Sequence, residues 1–521
     1  MYSRVFTGGL RGLTSYVASV EVDVNRGLPG FEMVGLLGSE IKEARERIRV
    51  ALRNTQMDLP SVRITVNISP ADIHKSGTVY DLPVALGIMA AWGILPAFPL
   101  QKLWVAGELG LQGEIKPVRG ILPMVMEAER AGIRECLVPF GNLREGCFAE
   151  GMVLMGVHSL QEAVYYLQAT EEQKEQMRQK AYQEMQEQKS HTAAEEIWDF
   201  KMIRHLYEAK RAAAVAAAGF HHLLLTGPPG AGKTLLARCI PSVLPPLDAA
   251  EQREVSAIYS VAGQLGQNDL ITRRPFVNPH HTVSSYALAG GGSVPRPGMV
   301  SLAHKGVLFL DEMAEFKRAT LDILRQPLEE GKIHLAKSGG HFIYPAEFML
   351  VGASNPCPCG FYPDRSRCKC TEYEVHRYFS RISGPLLDRI DIFCGMEAIS
   401  AGNLWEKPEE REIPDMDSAG LLRKVMAARE RQKFRLRQTG ITVNSRMSPA
   451  DTIRFCRLDE AEQKYLEWIA EKMRLSARAC HRILRVARTI ADMEESAEIT
   501  RLHLSEAVCY RRNEMAGGEV H

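Results

Sequence analysis

The pattern of apolar and polar positions divides this chain of 521 residues into three regions. Residues 1–167 mix β-branched runs with glycine turns and end in a short stretch of helical spacing, which predicts a unit built from both strands and helices. Residues 198–400 alternate short apolar runs with helical patterns, and this alternation is typical of a parallel α/β sheet. From 417 to 513 the apolar spacing is helical throughout, so an all-α unit should follow.

Two polar segments separate these regions. Residues 168–197 are rich in Gln, Glu and Lys with little apolar periodicity, so we predict a charged linker there, helical or frayed. Residues 401–416 are rich in proline and acidic residues and predict a second linker. The length of the chain agrees with roughly three or four units.

Composition narrows the classes of function. The 64 Lys and Arg residues against 63 Asp and Glu give a net charge of +1, so DNA binding would need a local patch, for instance inside an assembled ring. The N-terminus shows no signal-peptide pattern, and the most apolar stretch, residues 82–95, is too short to span a bilayer. Eleven cysteines, scattered apart from one cluster, fit a reducing compartment. We therefore expect a cytoplasmic protein without a membrane partner.

A glycine-rich loop gives the strongest functional signal. The apolar run 222–226 leads into Gly-Pro-Pro-Gly-Ala-Gly-Lys-Thr and then into a helical pattern, which matches the G-x-x-x-x-G-K-[ST] phosphate loop in its strand–loop–helix context. Lys233 should reach the β- and γ-phosphates of ATP, and the Thr234 hydroxyl should bind Mg²⁺. A glycine-rich turn that binds nothing is the alternative, which the context disfavours. The expected nucleotide contacts are Gly227, Pro228, Pro229, Gly230, Ala231, Gly232, Lys233, Thr234 and Leu235.

Polar residues end two further apolar runs. Asp311 and Glu312 follow residues 306–310, and acids delivered at the carboxyl edge of a parallel sheet lie where such sheets bind ligands. We expect Asp311 to hold Mg²⁺ and Glu312 to orient and polarise the attacking water. Asn355 follows residues 348–354 and should sense the γ-phosphate or help place the water, although an asparagine that only caps the strand is the alternative.

Four cysteines form a C-x-C-x₈-C-x-C cluster directly after Asn355. Thiolates at Cys357, Cys359, Cys368 and Cys370 can bind Zn²⁺ tetrahedrally, but the C-x-C spacing is tighter than that of the usual zinc knuckle. A disulfide or packed free thiols are the alternatives. A metal here would stiffen the loop rather than perform chemistry.

Long stretches of the chain resemble the magnesium-chelatase-like AAA+ ATPases of the ComM/YifB group. The resembling stretches are 277–292, 295–313, 324–338, 355–362, 383–393, 475–492 and 503–512. The resemblance implies a three-layer α/β AAA+ core, an all-α C-terminal lid, ATP and Mg²⁺ as ligands, and a ring of identical subunits, usually a hexamer. One departure concerns the adenine pocket, where relatives carry a Gly-Gln pair just upstream of 208–222 and this chain does not.

The resemblance also assigns two arginines. Arg389 occupies the place of the arginine finger, which completes the site of a neighbouring subunit, and Arg381 is the alternative finger. Arg478 occupies the sensor-2 place, from which it is expected to contact the γ-phosphate within its own subunit. A guanidinium suits both roles because the transition state spreads negative charge over the γ-phosphate oxygens.

Residues 1–167 resemble the Lon-protease-like fold through 27–52, 66–87 and 105–142. The places of the serine nucleophile and the lysine base are held by Val84 and Met124, which can neither attack a carbonyl nor accept a proton, so no protease activity is expected. Scaffolding of the ring or contact with DNA is the expected role. Candidate phosphate contacts are Lys75, Lys116 and Arg119, although exposed basic residues are most often simply solvated.

Two insertions resemble those of the pore-loop clade of AAA+ proteins. One includes His280 and His281, and the other, residues 332–343, should form a hairpin with Lys337 and His341 near its tip. In related helicases such a hairpin lines the channel and touches the nucleic-acid backbone; a solvated hairpin is an equal alternative.

Three functions compete at this stage. The first is a ring ATPase that translocates on single-stranded or branched DNA and promotes branch migration in recombination or natural transformation. The second is an ATP-driven remodelling chaperone that acts on a protein partner, as chelatase subunits do. The third is a nucleotide-binding regulator without turnover, which an intact Glu312 argues against.

Overall fold

The computed structural model defines most of the chain. It describes residues 1–57, 62–96, 100–149, 151–188, 198–265, 270–292, 295–337, 340–397 and 414–515. Most of the second predicted linker, 401–416, lies outside these residues.

A seven-stranded sheet organises the first unit. Its longest strands are the antiparallel pair Tyr2–Arg11 and Thr14–Asn25. Along both strands many side chains alternate between buried and more exposed positions, as expected for a sheet with one face covered by helices. The strand order is Gly30–Val34, Arg63–Ser69, Thr14–Asn25, Tyr2–Arg11, Leu103–Val105, Glu135–Pro139 and Val153–Val157, and the helices are Ser39–Asn54, Asp81–Ala91, Ile121–Arg130, Leu143–Gly146 and Leu160–Gln168.

Most of the apolar stretch 82–95 belongs to a central helix of this unit, Asp81–Ala91. Every residue of helix Asp81–Ala91 is buried, including Val84, and the Asp81 carboxylate is paired with Arg47 at 2.9 Å. A helix that is apolar on all sides is a core helix when other elements surround it. Within the described part of the chain, no helix is long and apolar enough to cross a membrane.

The segment predicted as a charged linker is in part a helix of the first unit. Helix Glu171–Glu187 begins at a capping box on Thr170, and Met177, Ala181 and Tyr182 pack against the hydrophobic core of the first unit. These apolar residues are too widely spaced among charged ones to show a clear helical stripe in the sequence. Residues 189–197 lie outside the described part.

A five-stranded parallel sheet forms the second unit, so the prediction of a mixed fold with a parallel α/β sheet is confirmed. Strand Leu223–Thr226 lies between Met349–Ser354 and Ile392–Gly395, and all of its neighbours run parallel to it. The two outer strands on the other side are Val307–Leu310 and Phe276–Val277. The main helices of the unit are Tyr207–Gly219, Lys233–Cys239, Ala249–Ala262, Ser285–Ala289, Met299–Leu302, Arg318–Asp322, Arg325–Glu330, Glu372–Phe379 and Gly384–Leu387.

The C-terminal part of the chain forms helices that pack against the second unit. They are Ser418–Leu436, Pro449–Phe455, Glu460–Lys472, Ala477–Met493 and Arg501–Met515. Arg429 and Gln432 donate to the carbonyl oxygens of Ala217 and Ala218, at the end of helix Tyr207–Gly219. These bonds fix the helical unit to the layer that covers the parallel sheet.

One contact between the first and second units is made by a buried carboxyl group. Glu145 accepts hydrogen bonds from the Ser260 hydroxyl and the Leu122 amide, and Gly120 donates its amide to the Ser260 carbonyl at 3.2 Å. Burial raises the pKa of Glu145, and the bonds from Ser260, Leu122 and Asn142 oppose that rise. The two units therefore share a specific polar contact.

Candidate nucleotide site

The glycine-rich loop leaves the carboxyl end of strand Leu223–Thr226. Gly230 and Gly232 have φ of +80° and +83°, values that favour glycine, and helix Lys233–Cys239 begins immediately after them. Gly227 lies so close to the neighbouring strand end that a Cβ there would sit 2.3 Å from the Met396 carbonyl oxygen. The loop conformation therefore depends on its glycines, as the motif predicts.

The Lys233 amine lies at the centre of this loop. Its Nζ donates to the carbonyl oxygens of Gly227 at 2.6 Å and Pro228 at 3.0 Å, and to Asn355 Oδ1 at 3.1 Å. Burial lowers the pKa of Lys233, and the nearby charges of Asp311 and Glu312 oppose that shift. The structure thus brings Lys233 and Asn355, which are far apart in sequence, into direct contact.

The acid pair lies beside the same loop. The Thr234 hydroxyl donates to Asp311 Oδ2 at 2.8 Å, so the two predicted magnesium ligands are in contact. Glu312 has φ of +48° and donates its own amide to Asp311 Oδ1 at 2.9 Å. Its side chain is 58% exposed, with His281 Nδ1 3.8 Å from Oε2. The Glu312 carboxylate is therefore open to solvent, with His281 beside it.

Strand register explains why these residues meet. Thr226 pairs with Ser354 and Leu310 pairs with Gly352, so the three strands end at the same edge of the parallel sheet. Of the remaining loop residues, Ala231 is buried, Leu235 is half-buried, and Pro229 contacts the loop around Gly360. We call this arrangement the carboxyl-edge site.

Arg389 and Arg478 lie together at the opposite edge of the sheet. They line a cavity of about 360 Å³ with His222 and Asp391, which directly precede strands Leu223–Thr226 and Ile392–Gly395. Five arginines and three carboxylates line it, and we call it the amino-edge cavity; the lining charged residues are Arg389, Arg446, Arg478, Arg482, Arg485, Glu329, Asp388 and Asp391.

This placement bears on the expectation for Arg478. Arg478 was expected to reach the γ-phosphate of its own subunit, yet it shares a cavity with Arg389 at the amino edge. Four residues of strand separate the two edges, which is about 13 Å at the rise of a β-strand. In this structure Arg478 therefore lies near Arg389, the predicted arginine finger, and away from the phosphate loop of the same chain.

The Arg389 guanidinium is only partly used within the chain. One of its Nη atoms pairs with Glu329 and the other donates to the Pro385 carbonyl, while its buried Nε has no partner among the described residues. The alternative finger, Arg381, pairs with Glu315 at 2.9 Å, three residues beyond Glu312. Arg381 thus lies near the carboxyl edge of its own chain, and Arg389 does not.

A buried polar network that no sequence motif indicated lies beneath the amino-edge cavity. His221 Nδ1 lies 3.1 Å from Asp391 Oδ2, and His221 Nε2 lies 2.9 Å from Thr489 Oγ1 in helix Ala477–Met493. Burial lowers the pKa of His222 to about 3, opposed by Asp391 and reinforced by Arg446 and Arg482. The network joins the base of the sheet to the helix that carries Arg478. The adjacent histidines before the phosphate-loop strand were the one available signal.

The remaining predicted residues lie away from both edges. Lys75 is buried and donates to the Pro70 carbonyl, so it is not a surface contact for phosphate, whereas Lys116 and Arg119 are exposed. Val84 and Met124 are core residues. The thiol sulfurs of the four clustered cysteines lie within 4.8 Å of one another.

The predicted hairpin forms from strands Lys332–Lys337 and Gly340–Pro345, with His341 exposed. It lies against the turn between the first two strands of the chain, where Arg11 approaches Gly340 and Phe342 approaches Gly12. The Lys337 side chain and residues 338–339 lie outside the described part. In this structure the hairpin therefore contacts the first unit.

Three family models match successive parts of the chain. In chain order they are "Subunit ChlI of Mg-chelatase" over residues 20–142, "Magnesium chelatase, subunit ChlI" over 199–404, and "Magnesium chelatase, subunit ChlI C-terminal" over 415–511.

Similar proteins extend over nearly the full length. The chain is 39% identical to the YifB protein of Salmonella typhimurium over 520 residues, covering 97% of this chain and 96% of that one. It is 37% identical to the competence protein ComM of Haemophilus influenzae, covering 97% of each. A shorter match at 27% identity, to the magnesium-chelatase 38 kDa subunit of Rhodobacter capsulatus, covers 31% of this chain and 51% of that one.

Proposed function

Because this chain belongs to the magnesium-chelatase-like AAA+ family that includes the YifB and ComM proteins, we propose that it is an ATP-hydrolysing ring motor that translocates on DNA. The observation that carries the proposal is the division of charged groups between the two edges of the parallel sheet. Phosphate-binding and water-activating groups occupy one edge, and the arginines suited to stabilise transferred phosphate occupy the other. The proposal needs both sets of groups at one phosphate.

The carboxyl-edge site fits ATP and Mg²⁺ by the chemistry of its donors. Lys233 now satisfies its amine with two loop carbonyls and Asn355, and these bonds can be exchanged for β- and γ-phosphate oxygens. The Thr234 hydroxyl and the Asp311 carboxylate are hard oxygen ligands that suit Mg²⁺. Mg²⁺ held there neutralises charge that develops on the phosphates.

Glu312 is placed to orient the attacking water. Its exposed carboxylate directly follows Asp311, and its backbone has a left-handed conformation. It accepts a proton from water as the oxygen attacks the γ-phosphate, while Asn355 holds the position of the γ-phosphate beside Lys233. Both roles need the phosphate to be correctly placed first.

The arginines complete this site when two chains meet head to tail. Arg389 and Arg478 of one subunit then face the γ-phosphate bound by the next, where a guanidinium matches the spread of negative charge. A heterologous contact of this kind closes into a ring, and a hexamer is the expected number. Arg478 therefore acts between subunits, together with Arg389.

DNA is the substrate we propose for this motor. The name of the Haemophilus influenzae relative associates that protein with competence, and the hairpin 332–345 offers an exposed His341 on a two-stranded projection. With a net charge of +1, DNA must be held by such a local feature rather than by the whole surface. Release of the hairpin from the first unit would expose it to the central channel of a ring.

A panel of nucleic acids tests the proposal. Phosphate release by the wild-type chain is measured alone and with single-stranded, duplex and four-way-junction DNA, with Lys233→Ala as the inactive control. Single-stranded or branched DNA should stimulate turnover, and the stimulation should fall as salt rises because phosphate contacts release counterions. Turnover that none of the DNA forms changes, together with no DNA binding, would refute DNA as the substrate.

A protein-remodelling role is the alternative, and the match to a magnesium-chelatase subunit favours it. It predicts ATP turnover that is indifferent to every DNA form and rises with a single stoichiometric protein partner. The same assay therefore separates the two functions.

A further inference from the structure

We propose that Cys357, Cys359, Cys368 and Cys370 bind one structural Zn²⁺, which holds the loop after Asn355 against the phosphate loop. The inference concerns a structural site beside the phosphate loop and does not depend on DNA being the substrate. It rests on the positions of the four sulfurs, on the backbone that presents them and on the small core around them.

The sulfur positions match a tetrahedral thiolate site. Cys357 Sγ lies 3.3 Å from Cys359 Sγ and 3.8 Å from Cys368 Sγ, and Cys359 Sγ lies 3.5 Å from Cys368 Sγ. All four sulfurs, including that of Cys370, lie within 4.8 Å of one another. A tetrahedron with Zn–S bonds of about 2.3 Å has edges of about 3.8 Å. The cluster is therefore already close to the size that the metal requires.

The backbone is built to converge the two C-x-C pairs. Gly360 has φ of +85°, which turns the chain back directly after Cys359. One helical turn follows, in which Cys368 donates its amide to the Asp364 carbonyl at 2.8 Å. After Cys370, Thr371 starts helix Glu372–Phe379 with a capping box. A turn and a capped helix thus present the two pairs to each other.

Local groups suit a site with the charge of four thiolates. The Tyr362 amide donates to Cys357 Sγ at 3.5 Å, as amides do around metal-bound sulfur. Arg365 donates to the Cys370 carbonyl at 2.7 Å, and Arg367 and Lys369 flank Cys368 in sequence. The loop that carries the four thiols is therefore rich in basic residues, although Arg365 also pairs with Glu372.

The apolar core of this segment is too small to fold the loop alone. Its buried members are Cys357, Cys368 and Val375, with Phe361 and Tyr362 packed beside them. Segments with so few buried side chains generally need a metal or disulfides to become stable. The structure joins none of these four cysteines in a disulfide, and a shared metal would cross-link all four at once.

The loop directly contacts the carboxyl-edge site. Asn355, whose Oδ1 accepts from Lys233, stands two residues before Cys357. A Cβ on Gly360 would lie 2.6 Å from Pro229 Cδ, so the loop that carries the four cysteines packs directly on the phosphate loop. A metal here therefore fixes the position of both Asn355 and Pro229.

Metal content of the full-length chain, purified without a histidine tag, tests the inference. Plasma mass spectrometry should find about one zinc per chain, and a mercurial reagent should release it as four thiols react. Chain produced in cobalt medium should show the visible absorption of tetrahedral Co²⁺–thiolate. The paired variants are Cys359→Ser/Cys370→Ser, which should lose the metal, and Cys509→Ser, an exposed cysteine whose loss should leave metal content unchanged.

Hydrogen exchange then tests the structural role. Amides of 355–379 should exchange faster in Cys359→Ser/Cys370→Ser than in Cys509→Ser, while the first unit exchanges alike in both. Wild-type chain with no bound zinc or cobalt, or with a disulfide within the cluster, would overturn the site. Bound zinc whose loss leaves the exchange of 355–379 unchanged would overturn its structural role. The wild-type metal content is read without any variant, so a misfolded variant cannot conceal a negative result.

Discussion

The two edges of the parallel sheet differ in how they are built. The carboxyl edge is made by strand ends, where Lys233, Asp311 and Asn355 meet because their strands are neighbours in register. The amino-edge cavity is assembled from distant elements, since Arg389 precedes one strand and Arg478 begins a helix of the C-terminal unit. In the function that we propose, one edge binds a triphosphate and the other stabilises a triphosphate that is brought to it.

The contrast indicates where the hydrolysis that we propose would take place. About 13 Å of strand separates the edges within one chain, which is too far for a guanidinium to reach a phosphate on the other side. In the function that we propose, the two edges become one site between subunits. The carboxyl edge would then decide whether ATP binds, and the amino edge would decide how fast it is hydrolysed.

Loss of Lys233 should have the largest effect because it disables the carboxyl edge completely. In Lys233→Ala, ATP loses the cation at the centre of the phosphate loop, and turnover should fall by more than about 10³-fold. Steady-state phosphate release and a fluorescent-nucleotide titration measure turnover and binding. The control is Lys201→Ala, an exposed lysine of the same unit. Wild-type turnover in Lys233→Ala would remove the carboxyl edge from the account.

Loss of Arg389 should separate hydrolysis from binding. Arg389→Ala should slow turnover by about 10³-fold, at the lower end of what an arginine finger contributes, while ATP affinity changes little. Arg478→Ala should act in the same direction. Arg381→Ala, which removes a pair with Glu315, is the matched comparison and should have the smaller effect. If Arg381→Ala is the slower enzyme, the finger has been assigned to the wrong arginine.

Glu312→Gln should trap ATP on the carboxyl edge. The amide keeps the shape of the side chain but cannot accept a proton, so turnover should fall by about 10²-fold while bound ATP accumulates. Nucleotide extracted from the filtered complex shows whether ATP or ADP is bound. Turnover equal to that of the wild type would show that another group activates the water.

The amino edge should make stability depend on pH. The pKa of His222 in the folded chain is about 3, lowered chiefly by burial, while an unfolded histidine titrates near its ordinary value of 6.5. Below that value the unfolded chain binds a proton that the folded chain excludes, so stability is complete above about pH 6.5 and falls as pH falls toward 3. Between pH 6.5 and 5 the loss is about 2 kcal/mol.

Urea unfolding of the sheet unit at pH 7 and pH 5 measures this loss. In His222→Gln the glutamine can still accept from the Leu350 amide, which now bonds to His222 Nδ1 at 3.1 Å. That variant should be less stable at neutral pH but should lose less stability on acidification than the wild type. An equal pH slope in both proteins would assign the acid sensitivity to other groups.

The sequence predicted what is local and missed what is assembled. The phosphate loop and the acid pair are short motifs attached to strands, so their pattern and their position are read together. Helix Glu171–Glu187 was interpreted as a linker because its few apolar residues lie among charged ones, and only the packing of Ala181 against the first unit shows its role. The placement of Arg478 depended on how the C-terminal helices pack on the sheet, which no spacing encodes.

The buried network at the amino edge shows the same limit. Asp391 and Thr489 are ordinary residues in sequence, and they become partners of His221 only when the sheet and helix Ala477–Met493 meet. In contrast, the cysteine cluster is compact in sequence, and its sulfurs do converge. Short-range constellations are therefore visible before the fold is known, and long-range ones are not.

Mixing two inactive variants tests most directly whether the site forms between subunits. Lys233→Ala retains a sound amino edge, and Arg389→Ala retains a sound carboxyl edge, so a ring containing both has some interfaces with two intact halves. After subunit exchange at equal concentrations, turnover should recover to about a quarter of the wild-type rate, the fraction of interfaces that pair intact halves at random. Turnover that stays at the level of the separate variants, although mass measurement shows mixed rings, would contradict a site shared between subunits.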